Sequence, residues 1–183
     1  MDLDKKKLSF YKPTTLADAL TLSRLYLILP ITILVLLQAE KWAGAIYILA
    51  VFTDAIDGAV ARLQQTASAY GAALDGVVDF WFGIATLIWI ALLMPGVYTE
   101  HVLAISIGIA AFIAFLIFSY AKNGHVIMPH LYSAKVATFL FALWLPLGVF
   151  YELPGWLVWL TAAAVVLSRV ESTLYALKLP RRS

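Results

Sequence analysis

Four aspartates lie at helical spacing inside otherwise apolar stretches of the chain. Asp54 and Asp57 are three residues apart, and Asp75 and Asp79 are four apart, so each pair shares one face of a helix. A charged side chain within a bilayer costs about 2.5–3.5 kcal/mol, which marks these residues as functional. Their mutual repulsion is relieved by a cation, and an all-oxygen donor set suits Mg²⁺ or Mn²⁺. The spacing therefore predicts a divalent-metal site, formed when the short loop 63–70 brings the two pairs face to face.

Small residues and an arginine accompany these acids. Gly58 and Gly71 allow the backbone to approach a bulky ligand closely, and Arg62 offers paired donors to a phosphate group. We interpret the whole set as a phosphate or pyrophosphate site. The alternative is that the aspartates form structural ion pairs with Arg24 and Arg62, and that the glycines serve tight helix packing.

Six apolar stretches supply the helices that must position these residues. Each is long enough to cross the hydrocarbon core as a helix, and short polar or Pro/Gly breaks make successive helices antiparallel neighbours. The stretches cover residues 17–39, 42–62, 71–94, 101–122, 131–151 and 155–177. The predicted fold class is an all-α integral membrane protein with six transmembrane helices. We divide it into a juxtamembrane amphipathic segment (1–16), a membrane domain (17–178) and a basic tail (179–183).

Composition and charge distribution agree with this reading. Of the 183 residues, 63% are hydrophobic and only 13% are charged, about half of the share usual in soluble domains. The absence of cysteine excludes disulfides and thiolate metal sites. With the N-terminus inside, every lysine and arginine except Lys41 falls on the cytoplasmic side. We therefore expect cytoplasmic termini, a site facing the cytoplasm of a prokaryotic-type inner membrane, contact with membrane lipids, and no nucleic-acid partner.

The acids and their neighbours form a recognisable motif. Residues 54–79 read DAIDGAVARLQQTASAYGAALDGVVD, which contains the pattern D-x2-D-G-x2-A-R-x8-G-x3-D-x3-D. This pattern resembles the signature of the CDP-alcohol phosphotransferase (CDP-alcohol phosphatidyltransferase class I) family at every fixed position. The six-span arrangement is similar to that family over the whole chain. The resemblance implies that an alcohol attacks the lipid-linked phosphorus of a CDP-alcohol, usually CDP-diacylglycerol, and that CMP is released.

The resemblance also implies roles for particular residues. Two Mg²⁺ or Mn²⁺ ions would be held by Asp54, Asp57, Asp75 and Asp79, and Asp79 would also take the proton from the attacking hydroxyl. The cytidine diphosphate groove would be lined by Thr21, Asp54, Gly58, Arg62 and Gly71. A homodimer is a further expectation from the family.

Three cations on later stretches are candidates for binding the acceptor alcohol. Lys122, Lys135 and Arg169 could converge beside the aspartates and hold a phosphorylated acceptor, as similar triads do in members that use glycerol 3-phosphate or inositol phosphate. The alternative is that they only anchor the topology, with Glu171 or a lipid phosphate satisfying Arg169. Glycerol 3-phosphate is favoured, in a chain similar to phosphatidylglycerophosphate synthases. However, Phe80 replaces the lysine usual in those enzymes, so inositol phosphate, serine or another alcohol stays open.

Intramembrane carboxylates are also typical of ion pathways, which makes a divalent-cation transporter the competing function. All four aspartates cluster at one membrane face in the predicted topology, and no acid continues a route across the membrane. A catalytically degenerate family member that serves as an interaction subunit is a third hypothesis, which the complete motif disfavours.

Overall fold

The structure is a computed structural model that describes the backbone of residues 16–63, 69–124, 126, 129 and 131–178. It describes side chains over 22–53, 75–124, 126, 129 and 131–178. Six residues predicted to bind metal or the CDP group have side chains outside those ranges: Thr21, Asp54, Asp57, Gly58, Arg62 and Gly71. The terminal segments 1–15 and 179–183 also lie outside the described residues.

Every secondary-structure element in the described residues is a helix, which confirms the all-α prediction for this part of the chain. Each of the six predicted stretches is helical, with its ends within a few residues of the predicted ones. The helices are α1 (Leu16–Leu36), α2 (Glu40–Leu63), α3 (Ala69–Leu93), α4 (Pro95–Glu100), α5 (Val102–Asn123), α6 (Tyr132–Ala142), α7 (Trp144–Phe150) and α8 (Gly155–Lys178).

The fifth predicted stretch consists of two helices rather than one. Pro146 has no N–H, so the carbonyl of Ala142 loses the donor that a continuous helix would give it. Helix α6 ends at Ala142, and the amide of Leu143 donates instead to the carbonyl of Leu140 at 3.3 Å. The short helix α4 is a second element that the apolar pattern did not predict, and it begins with a proline at its first position.

Four described segments are long and apolar enough to cross a bilayer, by length and composition. They are Asp75–Leu93, Val102–Asn123, Tyr132–Phe150 and Gly155–Lys178. In α1, the apolar part with described side chains is the shorter segment Leu22–Leu36. Many large apolar side chains are exposed on these helices, as on a surface that faces lipid. These features are consistent with an integral membrane protein, while the count of six spans and the orientation of the termini stay predictions.

The chain divides into two compact units, residues 1–89 and residues 90–183. In the first unit, α1 packs against α2 after a short connection, and α3 adds aromatic side chains to the same core. The ring of Tyr47 stacks on Phe82 at 5.4 Å between centroids and meets Trp89 edge-on at 6.3 Å. The indole N–H of Trp89 donates to Oγ1 of Thr32 at 3.0 Å, which ties α3 to α1.

We expect Thr32→Val to lower the free energy of unfolding by about 1–3 kcal/mol, because it leaves the buried indole N–H of Trp89 without its acceptor. Thr53→Val is the matched control, since the Thr53 hydroxyl donates only to the Ala50 carbonyl of its own helix among the contacts described. Thermal unfolding in detergent micelles measures both. Equal losses of stability in the two variants would contradict the role given to Thr32.

Helices α5 and α8 of the second unit are parallel, and contacts between them recur every seven residues. A Cβ placed on Gly108 would lie 4.0 Å from Cα of Ala162, so the backbones approach closely there. The contacts one and two heptads further along join Phe115 to Arg169 and Lys122 to Ala176. Because all three contacts share one register, the pair is continuous over most of α5.

Helix α6 and the start of α7 pack against α8 in the opposite direction. Oγ of Ser133 donates to Oε2 of Glu171 at 2.5 Å near the start of α6. The indole N–H of Trp144 donates to Oγ1 of Thr161 at 2.9 Å near the start of α8. The later residue, Trp144, therefore contacts an earlier residue of α8 than Ser133 does, as an antiparallel pair requires.

Candidate active site

A buried arginine of α1 joins the two aspartates of α3. Nη2 of Arg24 donates to Oδ1 of Asp75 at 2.5 Å, and Nη1 donates to Oδ1 of Asp79 at 2.6 Å. The two acids are four residues apart on one helix, so their carboxylates lie on the same face, one turn apart. The planar guanidinium spans this separation with two of its donors. We call these three residues the Arg24 cluster.

The Arg24 cluster has a closed side and an open side. The side chain of Arg24 is 3% exposed, whereas those of Asp75 and Asp79 are 39% and 47% exposed. The guanidinium therefore lies within the packing between α1 and α3, and the carboxylates line its accessible edge. A molecule that reaches the cluster from outside meets the carboxylates first.

The backbone brings the predicted residues of α2 to the level of this cluster. The ring of Tyr47 on α2 contacts both Phe82 and Trp89, so Tyr47 lies level with the part of α3 between these two residues. Because the short connection between α2 and α3 makes these helices antiparallel, seven residues onward from Tyr47 and seven back from Thr86, which lies between Phe82 and Trp89, lead to positions 54 and 79. Residues 57, 58 and 62 follow on the same helix, which ends at Leu63.

The described donors fit a divalent ion. Asp75 and Asp79 offer hard carboxylate oxygens on one accessible helix face, which is the chemistry that Mg²⁺ and Mn²⁺ prefer. Within the described side chains, no group of three or more His, Cys, Asp or Glu residues gathers into a metal site. The side chains of Asp54 and Asp57 lie outside the described residues, so the structure brings together half of the predicted ligand set and the other half stays a prediction.

Arg24 is the residue whose importance the sequence did not reveal. No catalytic or binding role was predicted for it; it was a partner in the structural ion-pair alternative, and the structure confirms that pairing for Asp75 and Asp79. The available signal was its position as the one basic residue of the largely apolar helix α1. A buried intramembrane arginine requires an acidic partner, and α3 carries two of them.

Two of the predicted acceptor-binding cations have other contacts in the second unit. Nζ of Lys122 donates to the carbonyl of Ala176 at 2.5 Å, close to the C-terminal end of α8, where a cation also meets the negative end of the helix dipole. Lys135 is exposed, and its ammonium lies 5.6 Å from the ring centroid of Tyr132. Both contacts are compatible with the anchoring alternative.

Arg169 has a different environment. Its guanidinium carbon lies 5.3 Å and 5.1 Å from the ring centroids of Phe112 and Phe115, and its Nε donates to Oγ of Ser168 at 3.2 Å. Glu171, which the sequence offered as a partner, instead accepts from Ser133. Within the described side chains, neither terminal nitrogen of Arg169 takes part in a hydrogen bond or ion pair. The arginine is thus held by its face and by Nε, with its two terminal donors available for an anion.

The long apolar helices and the accessible acidic cluster are consistent with an integral membrane protein that carries a polar site. The chain belongs to the CDP-alcohol phosphatidyltransferase family, whose model matches residues 14–167. This match confirms the resemblance drawn from residues 54–79 and identifies an enzyme class that transfers a phosphatidyl group from a CDP-alcohol to an alcohol acceptor. No curated protein and no solved structure matches the chain.

Proposed function

We propose that this enzyme transfers the phosphatidyl group of CDP-diacylglycerol to a small phosphorylated alcohol and releases CMP, with glycerol 3-phosphate as the favoured acceptor. The observation that carries the proposal is the accessible pair of carboxylates, Asp75 and Asp79, in a chain of this family. The acceptor alternatives are inositol phosphate, serine and other small alcohols.

Asp79 is the proposed general base. Its carboxylate takes the proton of the acceptor hydroxyl while the hydroxyl oxygen forms a bond to the phosphorus that carries diacylglycerol. The bond from that phosphorus to the bridging oxygen of the pyrophosphate breaks, and CMP leaves with the bond's electron pair. The accessible side chain of Asp79 suits this role, because a base must reach its substrate.

The other acids and the groove residues have binding roles in this proposal. Asp54, Asp57, Asp75 and Asp79 would hold two Mg²⁺ or Mn²⁺ ions. When bound, these ions neutralise the pyrophosphate and the charge on departing CMP. The cytidine diphosphate would lie against Thr21, Gly58, Arg62 and Gly71, where glycine allows close approach of the backbone.

Arg169 is the proposed centre of the acceptor-phosphate site. Its face is held by aromatic rings, and its terminal nitrogens can donate in parallel to two oxygens of a phosphate monoester. Lys122 and Lys135 are the weaker members of the proposed set. In this proposal the acceptor enters from the cytoplasm of a prokaryotic-type inner membrane, and the enzyme functions as a homodimer.

The direct test uses purified protein in mixed micelles with radiolabelled CDP-diacylglycerol and a panel of acceptors. We expect CMP release with formation of one labelled lipid product, greatest with glycerol 3-phosphate. Chelation with EDTA should abolish the release, and added Mg²⁺ or Mn²⁺ should restore it.

Two results would reject the proposal. The first is the absence of CMP release with every acceptor when metal is present. The second is Mn²⁺ flux through liposomes without that chemistry, which would favour the transporter hypothesis. Release with serine but not with phosphorylated acceptors would keep the reaction class and reject the acceptor assignment.

A further inference from the structure

We propose that Arg24 is a positioning residue, which holds the carboxylates of Asp75 and Asp79 in the arrangement that phosphatidyl transfer needs. This inference rests on the proposed function, because it assigns Arg24 a task toward the residues that bind metal and accept the proton. The guanidinium reaches both acids at once, at 2.5 Å and 2.6 Å.

The geometry of the two contacts restricts both acids together. Each carboxylate meets a different terminal nitrogen of one planar group, and each does so through Oδ1. Because the two nitrogens belong to one rigid plane, the guanidinium cannot follow one carboxylate as it moves without losing its contact with the other. Oδ2 of each carboxylate takes no part in these two contacts.

Burial separates the positioning role from direct catalysis. The Arg24 side chain is 3% exposed, so a lipid-sized substrate at the open side contacts the acids rather than the guanidinium. Arg24 thus affects the reaction through Asp75 and Asp79. Loss of its geometry should therefore reduce turnover more than substrate affinity.

The position of α1, which carries Arg24, is fixed relative to α3 by a second contact. On the same helix, Thr32 accepts the indole N–H of Trp89 about two turns away, and Trp89 lies on the helix of the two acids. The contacts at Arg24 and Thr32 proceed in the same direction along α1 and α3, so they fix one parallel register. A helix shift that displaced the guanidinium would also break the Trp89 hydrogen bond.

Stability alone gives a weak reason for an arginine at this place. Desolvation of a buried ion pair offsets much of its attraction, and apolar side chains of similar size are often as stabilising or more so. An intramembrane arginine that spans two accessible acids is better explained by what it does to those acids.

The test is Arg24→Lys, which keeps the charge but replaces the rigid two-point donor with a single ammonium. We expect kcat for CMP release to fall about 100-fold, with the KM for CDP-diacylglycerol changed less than about twofold. We also expect the dissociation constant for Mn²⁺, measured by electron paramagnetic resonance without substrates, to rise about tenfold, as when a partner of a metal ligand is lost. Arg181→Lys is the matched control, because the proposed site does not include Arg181.

A second variant covers the case in which Arg24→Lys does not fold. Arg24→Ala, purified in millimolar guanidinium chloride, should regain part of its CMP release, and ammonium chloride at the same concentration should restore none. Equal rescue by the two salts would overturn the inference, because a planar two-point donor would then not be required.

The remaining outcomes separate this inference from the proposed function. Native kcat and native Mn²⁺ affinity in folded Arg24→Lys would overturn the positioning role while leaving phosphatidyl transfer intact. A raised KM at native kcat would also overturn it, since Arg24 would then bind substrate. If native protein releases no CMP but Arg24→Lys still weakens Mn²⁺ binding, the proposed function fails and the positioning of the acids stands.

Discussion

Replacing Asp79 with asparagine is expected to lower CMP release from CDP-diacylglycerol by about 10³-fold. Asparagine keeps the size of the side chain and an oxygen that accepts a hydrogen bond from Arg24, but it cannot take a proton from the acceptor hydroxyl. The loss should appear in kcat, measured as CMP formed per enzyme at saturating acceptor. The KM for CDP-diacylglycerol should change much less.

The matched control for this experiment is Glu100→Gln, which removes an exposed acid from the short helix α4. It should retain native turnover. Residual activity in Asp79→Asn within about tenfold of native would show that another group accepts the proton. An increase of activity with rising pH in the variant would point to hydroxide as the substitute base.

Replacing Arg169 with glutamine is expected to raise the KM for a phosphorylated acceptor about 100-fold, because two charge-assisted hydrogen bonds to the phosphate are lost. The KM for CDP-diacylglycerol should stay close to native. Initial rates measured while glycerol 3-phosphate and then CDP-diacylglycerol are varied give both constants for one preparation.

Lys122→Gln is the informative comparison for Arg169→Gln. Since Nζ of Lys122 donates to the Ala176 carbonyl, this variant should lower the unfolding temperature and leave the acceptor KM less affected. A native acceptor KM in Arg169→Gln would remove Arg169 from the acceptor site. The anchoring alternative would then account for all three cations.

The helices were predictable from sequence because bilayer thickness sets the length of an apolar span and short polar breaks end each one. Where a helix breaks within a span was not predictable from proline alone. Pro30 lies inside the continuous helix α1, whereas the loss of an N–H at Pro146 coincides with the break between α6 and α7. The outcome depends on how neighbouring side chains and backbone groups compensate for the missing donor.

The shared helix face of Asp75 and Asp79 was also predictable, because the two acids lie four residues apart in the sequence. The attachment of Arg24 to Asp75 and Asp79 was not, since it joins residues more than 50 positions apart. Such a pairing depends on the parallel register of α1 and α3, which packing around Trp89 sets. Similarly, the contacts of Arg169 with the rings of Phe112 and Phe115 depend on the register of α5 and α8, which repeats every seven residues.

The division of the chain at Trp89 separates two kinds of proposed residues. Every residue assigned to metal binding, proton transfer or the CDP group belongs to residues 1–89, and the three acceptor cations belong to residues 90–183. A substitution in residues 90–183 therefore leaves every residue with a proposed role in bond breaking in place. Under the proposed function, a change of headgroup specificity would therefore require substitutions in residues 90–183 alone, and the residues that act on the CDP-alcohol could stay the same.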